Sequence, residues 1–217
     1  MVKAIVEILQ WFAGDQIRNV SAIGGNLMTA SPISDLSQIL MAAGAIAVFG
    51  NSENNFKTAK IDENFFTGYR KTIIPNTDLL IAIKLPYCAE NGYFHAYKQS
   101  KRKEDDIAIV NSAFFVEFEP GSNKIKNFRA AYGGMGPTTR LAVITNPEMV
   151  GRNWSEETLE FATDSLGKEF NLPPEAPGGF IAYRKCLGMG YYYNTNECHH
   201  MTMSASSLSL CSHFSFL

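Results

Sequence analysis

The chain has 217 residues, of which 46% are hydrophobic and 18% charged, and its formal net charge is -2. This composition is that of a globular protein with room for a substantial core, and it excludes an intrinsically disordered chain. The near-neutral charge gives no electrostatic basis for nucleic-acid binding. No apolar run reaches the roughly 20 residues of a membrane span. The N-terminus contains Glu7 and Gln10 and has no small-residue cleavage site, which argues against a signal peptide.

The first half of the chain has both helical and strand-like spacing of its apolar residues. The pattern predicts a helix over 2–10, a short strand over 20–23, a helix over 36–45, and strands over 45–49 and 79–85. Asp35 stands where it could cap the second helix, which Gly44 interrupts. The turn-rich residues 86–92 mark the predicted boundary between two subdomains.

The second half reads as strands followed by helices. Alternation predicts a strand over 93–98, and long strands over 108–119 and 125–132 form an antiparallel hairpin with Pro120 and Gly121 in its loop. Helical spacing covers 155–170. A second, weaker helix is expected through Phe180, Tyr183, Leu187 and Tyr191. The predicted class is therefore α+β, an antiparallel sheet with packed helices following a first subdomain.

The last residues, 195–217, are serine-rich and have no usable period, so we expect a disordered or aberrant tail. Their cysteines and histidines match no standard zinc spacing, and we predict no metal site there. These residues are Cys198, His199, His200, Cys211 and His213. The cysteines of the whole chain form no CxxC pair, which favours reduced thiols in an intracellular protein over a disulfide framework or an iron–sulfur site.

One stretch, GGNLMTASPISDL at 24–36, combines bare backbone with hydroxyls and a carboxylate. Successive glycine amides can converge on an anion, and Thr29, Ser31 and Ser34 can donate to phosphate oxygens. Asp35 can accept from a sugar hydroxyl, so the combination suits the diphosphate of a dinucleotide or flavin. The alternative is a tight turn with a helix cap, which these residues alone favour. Neither a Rossmann fingerprint nor a P-loop is present.

A charge run, KRKEDD at 101–106, places three cations directly before three anions. A solvated turn crossed by ion pairs is the simpler explanation of such a run in isolation. Because this run lies between two predicted strands and near the proposed cofactor site, we favour a functional loop.

Six segments occur in an order that resembles one family. They are WFAGDQ, VSAIGGNLMTASPISDL, FFTGYRKT, YKQSKRKEDDIA, YGGM and LPPEAPGG. Over about residues 5–194 the chain resembles the FAD-binding region of the xanthine dehydrogenase family of molybdenum hydroxylases. The resemblance implies that 1–90 is the C-terminal part of an FAD-binding domain of the PCMH or vanillyl-alcohol-oxidase type. Residues 93–194 would then resemble the C-terminal domain of carbon monoxide dehydrogenase flavoproteins.

The resemblance also implies cofactor contacts, with the Ala22–Asn26 amides around the diphosphate, Phe12 and Ala13 on the flavin, and Ser34 and Asp35 at the sugar chain. The full set of implied FAD-binding residues is Phe12, Ala13, Ala22, Ile23, Gly24, Gly25, Asn26, Thr29, Ser34, Asp35, Leu80 and Lys98. Lys103 and Asp105, in the loop 99–106, would border the flavin face where NAD docks. No catalytic side chain is expected, since the cofactor carries the chemistry.

The implied activity is that of an FAD-dependent oxidoreductase passing electrons from iron–sulfur clusters through FAD to NAD. The molybdopterin and 2Fe-2S centres would belong to other parts of a full-length, homodimeric, cytoplasmic or peroxisomal enzyme. The TASPISDL and RKEDDIA segments favour the NAD-reducing branch. Two alternatives stay open, a truncated non-catalytic fragment and a flavoprotein subunit of an aldehyde oxidase-like or carbon monoxide dehydrogenase-like complex.

The chain departs from the family pattern at three points. It begins after an earlier glycine-containing segment that in the family supplies the other half of the diphosphate site. Ala22 replaces the usual Ser or Thr and removes one hydroxyl donor. Lys103 replaces the usual Arg, and a lysine ammonium cannot reproduce the planar donor fork of arginine.

Overall fold

The computed structural model describes residues 1–52 and 56–204, which form seven helices and three antiparallel sheets. The helices are α1 (Val2–Leu9), α2 (Asp15–Arg18), α3 (Ile23–Thr29), α4 (Ser37–Ala43), α5 (Thr145–Met149), α6 (Glu156–Glu169) and α7 (Ile181–Ser204). The strands are β1 (Ile46–Gly50), β2 (Lys57–Lys60), β3 (Phe66–Gly68), β4 (Lys71–Thr72), β5 (Leu79–Lys84), β6 (Gly92–Gln99), β7 (Val110–Phe118), β8 (Ile125–Gly133) and β9 (Arg140–Leu141). No helix within these described ranges is long and apolar enough to cross a membrane.

Most neighbouring strands in the sheets are also consecutive in the sequence. The first has the order β2–β1–β5, the second pairs β3 with β4, and the third has the order β6–β7–β8–β9. The β7–β8 pairing confirms the predicted hairpin, and Gly121 in its loop adopts a left-handed φ of +68° that favours glycine. The α+β class predicted from the sequence is also confirmed.

The four-stranded sheet is covered on both faces. Helix α4 packs on β7 and β8 and shares a hydrophobic core with α1, α3 and β1. Helices α5, α6 and α7 cover the opposite face with a second core. Because both faces are covered, β7 is buried from Val110 through Val116. The two halves of the sequence therefore pack against each other, chiefly through α4 on β7 and β8 and through α1 on β6.

Arg129 of β8 fixes the C-terminal end of α4. Its Nε donates to the Ala42 carbonyl at 2.6 Å and its Nη2 to the Ala43 carbonyl at 3.3 Å. The guanidinium also lies 4.5 Å from the centre of the Phe115 ring. Burial lowers the pKa of Arg129 from its ordinary value. The contact satisfies the carbonyls that every helix leaves unpaired at its C-terminus, here inside the protein.

We expect Arg129→Met to lower the free energy of unfolding by about 2–4 kcal/mol, because two buried carbonyls lose a charged donor. Urea unfolding measures the change. Arg152→Met is the matched control, since Arg152 also donates to one helix carbonyl, that of Glu148, but does so at the surface. Its loss should stay below about 1 kcal/mol. Equal losses for the two variants would show that the contact of Arg129 with α4 stabilises the fold no more than a surface contact does.

Two local predictions near α3 and α4 differ from the structure. The strand over 20–23 is wrong: Val20 is 81% exposed, Ala22 is the extended N-cap residue of α3, and the paired glycines lie in the first turn of a helix. The Asp35 cap is also wrong, because Ser34 Oγ accepts from the N–H groups of Leu36 and Ser37 at 3.3 and 3.2 Å.

The last helix is longer than its glycines suggested. Helix α7 runs to Ser204, past the boundary expected at 195, while residues 205–217 of the expected tail lie outside the described residues. Tyr192 and Thr195 on this helix are buried, and Tyr132 Oη donates to the Gly188 carbonyl at 3.0 Å. Such packing outweighs the roughly 1 kcal/mol that each helical glycine costs.

Candidate functional site

A groove of about 190 Å³ opens beside the beginning of α3. Four of the residues that the resemblance assigns to a cofactor line it: Phe12, Ala22, Ile23 and Asn26. Arg18 lines the same groove and was not among the predicted residues. The structure therefore brings the WFAG segment and the AIGGN segment together on one concave surface.

The first turn of α3, whose residue Ile23 lines this groove, contains three backbone amides that precede the helical hydrogen bonds. The helix begins with the Asn26 N–H donating to the Ala22 carbonyl at 3.0 Å, so the N–H groups of Ile23, Gly24 and Gly25 precede the intrahelical bonds. In the described part of the chain none of these three groups has an acceptor. Donors of this kind carry the partial positive charge of a helix N-terminus.

Gly24 and Gly25 have no side chains that could cover these amides. A Cβ on Gly25 would meet nothing within 4 Å, and a Cβ on Gly24 would meet only Leu80 Cδ2, at 3.7 Å. Leu80 of β5, one of the predicted residues, is therefore the neighbour of the first glycine. The open space beside Gly25 allows an anion to approach the amides directly.

Two of the three predicted hydroxyl donors, Thr29 and Ser34, donate within the protein. Thr29 Oγ1 donates to the Gly25 carbonyl at 2.7 Å, one helical turn back. Ser34 Oγ donates to Asn26 Oδ1 at 2.6 Å and accepts from the first amides of α4. Ser34 therefore links α3 to α4 and orients the Asn26 side chain that lines the groove.

Asp35 and Lys98 form a buried ion pair next to the groove. Lys98 Nζ lies 2.7 Å from Asp35 Oδ2 and 2.9 Å from the Trp11 carbonyl, and the two side chains are only 6% and 8% exposed. Burial raises the pKa of Asp35 above its ordinary value, and the charge of Lys98 opposes that rise. The pair joins β6 to the segments that precede α2 and α4, so both predicted residues are engaged with each other.

Asn111, which the sequence reasoning missed, supports this ion pair. It is fully buried on β7, and its Nδ2 donates to the Ser34 carbonyl at 3.0 Å. The side-chain amide of Asn111 lowers the pKa of Asp35 and so favours its charged form. Oδ1 of Asp35 nevertheless accepts no hydrogen bond within the described residues. No pattern in the sequence pointed to Asn111, because it lies inside an otherwise apolar strand.

The charged loop lies against the WFAG segment. Lys103 Nζ is 5.1 Å from the centre of the Trp11 ring. Asp105, in a left-handed conformation with φ of +49°, places its carboxylate 3.6 Å from the point where a Cβ on Gly14 would lie. Arg102 closes the loop through its N–H to Asp106 Oδ2 at 2.8 Å, and this bond holds the pKa of Asp106 below its ordinary value.

Two family models match the chain. Residues 1–88 match the model of the FAD binding domain in molybdopterin dehydrogenase, and residues 95–197 match that of the CO dehydrogenase flavoprotein C-terminal domain. The xanthine dehydrogenase/oxidase of Gallus gallus is 47% identical over 191 residues, which cover 88% of this chain and 14% of the relative. The enzyme of the same name from Rattus norvegicus is 40% identical over 191 residues, again 88% and 14% of the two lengths.

A third relative has a different name from the first two. The nicotinate hydroxylase of Emericella nidulans is 42% identical over 196 residues, with 88% of this chain and 14% of the relative covered. The chain thus spans about 14% of the length of the curated relatives it matches.

Solved structures show the same fold at low sequence identity. The carbon monoxide dehydrogenase of Hydrogenophaga pseudoflava that lacks the Mo-pyranopterin moiety matches with a TM-score of 0.80 and 20% identity, covering 91% of this chain and 68% of that one. The quinoline 2-oxidoreductase of Pseudomonas putida 86 matches with a TM-score of 0.75 and 19% identity, covering 94% and 70%. The chain belongs to the xanthine dehydrogenase family of molybdenum hydroxylases and carries the FAD-binding domain of that family.

Proposed function

We propose that the groove beside α3 holds the diphosphate of FAD, and that the chain is the flavin segment of a xanthine dehydrogenase-like oxidoreductase. The observation that carries the proposal is the set of three amides at Ile23, Gly24 and Gly25, which have no acceptor among the described residues and lie next to open space. Helix N-termini of this kind favour anions, and a diphosphate offers the several oxygens that such donors need. The residues present therefore fit the cofactor.

The flavin end of FAD would lie toward the WFAG segment. Phe12 lines the groove, and the loop 99–106 contacts Trp11 and Gly14. With Lys103 and Asp105 bordering the flavin, NAD would approach from the side of this loop. FAD supplies hydride and electron transfer, and these residues bind it, orient it and limit access to it.

The groove alone is too small for the whole cofactor. Its volume of about 190 Å³ is below the roughly 300–1,000 Å³ of ordinary ligand pockets. We therefore expect further walls from protein outside this chain, together with the iron–sulfur and molybdenum centres that deliver electrons. In this account electrons pass through FAD to NAD in a cytoplasmic or peroxisomal homodimer.

Each of two alternative functions is supported by one observation. The coverage of only 14% of the curated relatives supports a truncated fragment with no catalysis of its own. The coverage of 68% of a carbon monoxide dehydrogenase chain supports a separate flavoprotein subunit that recruits the other centres as partner chains.

Equilibrium dialysis against FAD separates these possibilities. We expect one bound FAD per chain, with yellow flavin absorbance, when the chain is joined to the part of the Gallus gallus relative that precedes the matched region. The same result for the 217-residue chain alone would count against the truncated fragment, because such a fragment is expected to bind no FAD. A joined protein that is folded but stays colourless in excess FAD would contradict the proposal.

The use of NAD needs its own assay. After anaerobic chemical reduction of the bound flavin, we expect NAD to restore the oxidised flavin spectrum. Reoxidation by oxygen but not by NAD would place the protein in the branch that does not use NAD.

A further inference from the structure

We infer that Arg18 is a positioning residue that holds the Phe12–Ala13 turn in the shape that cofactor binding requires. The inference rests on the proposed function, because this turn matters to the flavin only if FAD occupies the groove. Arg18 Nη1 donates to the Phe12 carbonyl at 2.9 Å and to the Ala13 carbonyl at 2.7 Å. Its Nη2 pairs with Asp15, whose side chain is 84% exposed.

Two cations together fix three consecutive carbonyls. Lys98 Nζ donates to the Trp11 carbonyl at 2.9 Å, and Arg18 Nη1 donates to the carbonyls of the next two residues. Ala13 has a left-handed φ of +46°, a conformation that residues with a Cβ rarely adopt. A turn in such a conformation needs contacts from outside itself to persist, and the two bonds from Arg18 supply them.

The orientation of the carbonyls also sets the orientation of the amides that follow them. In a planar trans peptide the C=O and the next N–H point in opposite directions. Because the Phe12 and Ala13 carbonyls point at Arg18, the N–H groups of Ala13 and Gly14 point away from it. Neither N–H has an acceptor in the described part of the chain. Arg18 therefore leaves two donors on the turn available to a polar edge of a bound ligand.

Arg18→Met tests the inference with two readouts: amide exchange in the 217-residue chain, and ligand affinity in that chain joined to the part of the Gallus gallus relative that precedes the matched region. Without FAD, we expect hydrogen–deuterium exchange of residues 12–18 to speed up by about fivefold or more, while β8 keeps its protection. With FAD, we expect the dissociation constant to rise by about tenfold, the loss of one to two charge-assisted hydrogen bonds. The dissociation constant for ADP, which has the diphosphate but no flavin, should rise by less than about threefold. Arg152→Met is the matched control and should change none of these values.

The outcomes separate the possible failures. Unchanged exchange in 12–18 would overturn the inference with or without FAD. Equal losses of FAD and ADP affinity would show that Arg18 acts only through its charge on the diphosphate, which also overturns it. If Arg18→Met unfolds the chain, Arg18→Lys, which keeps the charge but moves the donors, replaces it with the same criteria. A wild-type joined protein that binds no FAD counts against the proposed function, and the exchange result still decides whether Arg18 holds the turn.

Discussion

Replacing Lys98 with Met lowers the free energy of unfolding by about 3–5 kcal/mol at neutral pH, because it leaves a buried carboxylate without its counter-ion. In the native chain Lys98 Nζ lies 2.7 Å from Asp35 Oδ2, and Oδ1 has no hydrogen bond within the described residues to compensate for the loss. The Trp11 carbonyl also loses its donor. Urea unfolding followed by circular dichroism measures the change.

This loss depends on pH in a defined direction. Burial already raises the pKa of Asp35, and without the opposing charge of Lys98 that pKa rises further above the ordinary value. A carboxyl whose folded pKa is raised stabilises the fold at pH values below its unfolded pKa, and this stabilisation disappears as the pH rises through the folded pKa. The deficit of Lys98→Met should therefore shrink as the pH falls from about 7 toward about 4.

A surface pair provides the control. Lys124 and Glu119 lie 3.2 Å apart with both side chains 45% exposed, and Lys124→Met should cost less than about 1 kcal/mol. Adding Asp35→Asn to Lys98→Met should recover stability, because it removes the unpaired charge. A Lys98→Met loss no larger than that of Lys124→Met would refute the assignment of the pair as a buried link.

Replacing Gly25 with Ala weakens FAD binding by about 100-fold, the equivalent of roughly 2.7 kcal/mol. The new methyl group occupies the open space beside the amides of α3, where the diphosphate must approach. The same change should raise the free energy of unfolding by about 0.5–1 kcal/mol, because alanine is the better residue in a helix. Stability and binding thus move in opposite directions, and this distinguishes a binding site from a structural position.

Gly190→Ala is the matched control for this substitution. Gly190 lies on α7, and a Cβ there would also meet nothing within 4 Å. It should bring the same gain in stability with no change in the FAD dissociation constant from fluorescence titration. If Gly25→Ala binds FAD as tightly as wild type, the diphosphate does not lie at α3.

Much of the fold was readable from the sequence because most elements bury one face. The β7–β8 hairpin follows from alternation and from Pro120–Gly121, and α6 follows from its apolar spacing with Ser155 at its start, where Oγ accepts from the Thr158 N–H. Residues 20–23 were misread because an apolar, β-branched pair next to two glycines resembles a strand and turn. In the structure Val20 is 81% exposed, and the glycines lie in the first turn of a helix.

The candidate site was only partly readable. The paired glycines, Phe12 and Asn26 were found because a motif carries them. The structure brings Phe12 and Asn26 to one groove, and the glycines lie beside it in the first turn of α3. The partners of Asp35 could not be found from local patterns: Lys98 is 63 residues away, and Asn111 reaches the Ser34 carbonyl from 77 residues away. Arg18 was missed although it lies between the two motifs, because its carbonyl contacts depend on the left-handed turn at Ala13.

The central claim is that the first amides of α3 bind the diphosphate of FAD, and NMR of the glycine amides tests it directly. In a chain labelled with ¹⁵N at its 17 glycines, we predict that saturating FAD shifts the amide signals of Gly24 and Gly25. The signals of Gly121 in the hairpin loop and Gly190 on α7 should stay in place. Bound FAD with unshifted Gly24 and Gly25 signals would contradict the account.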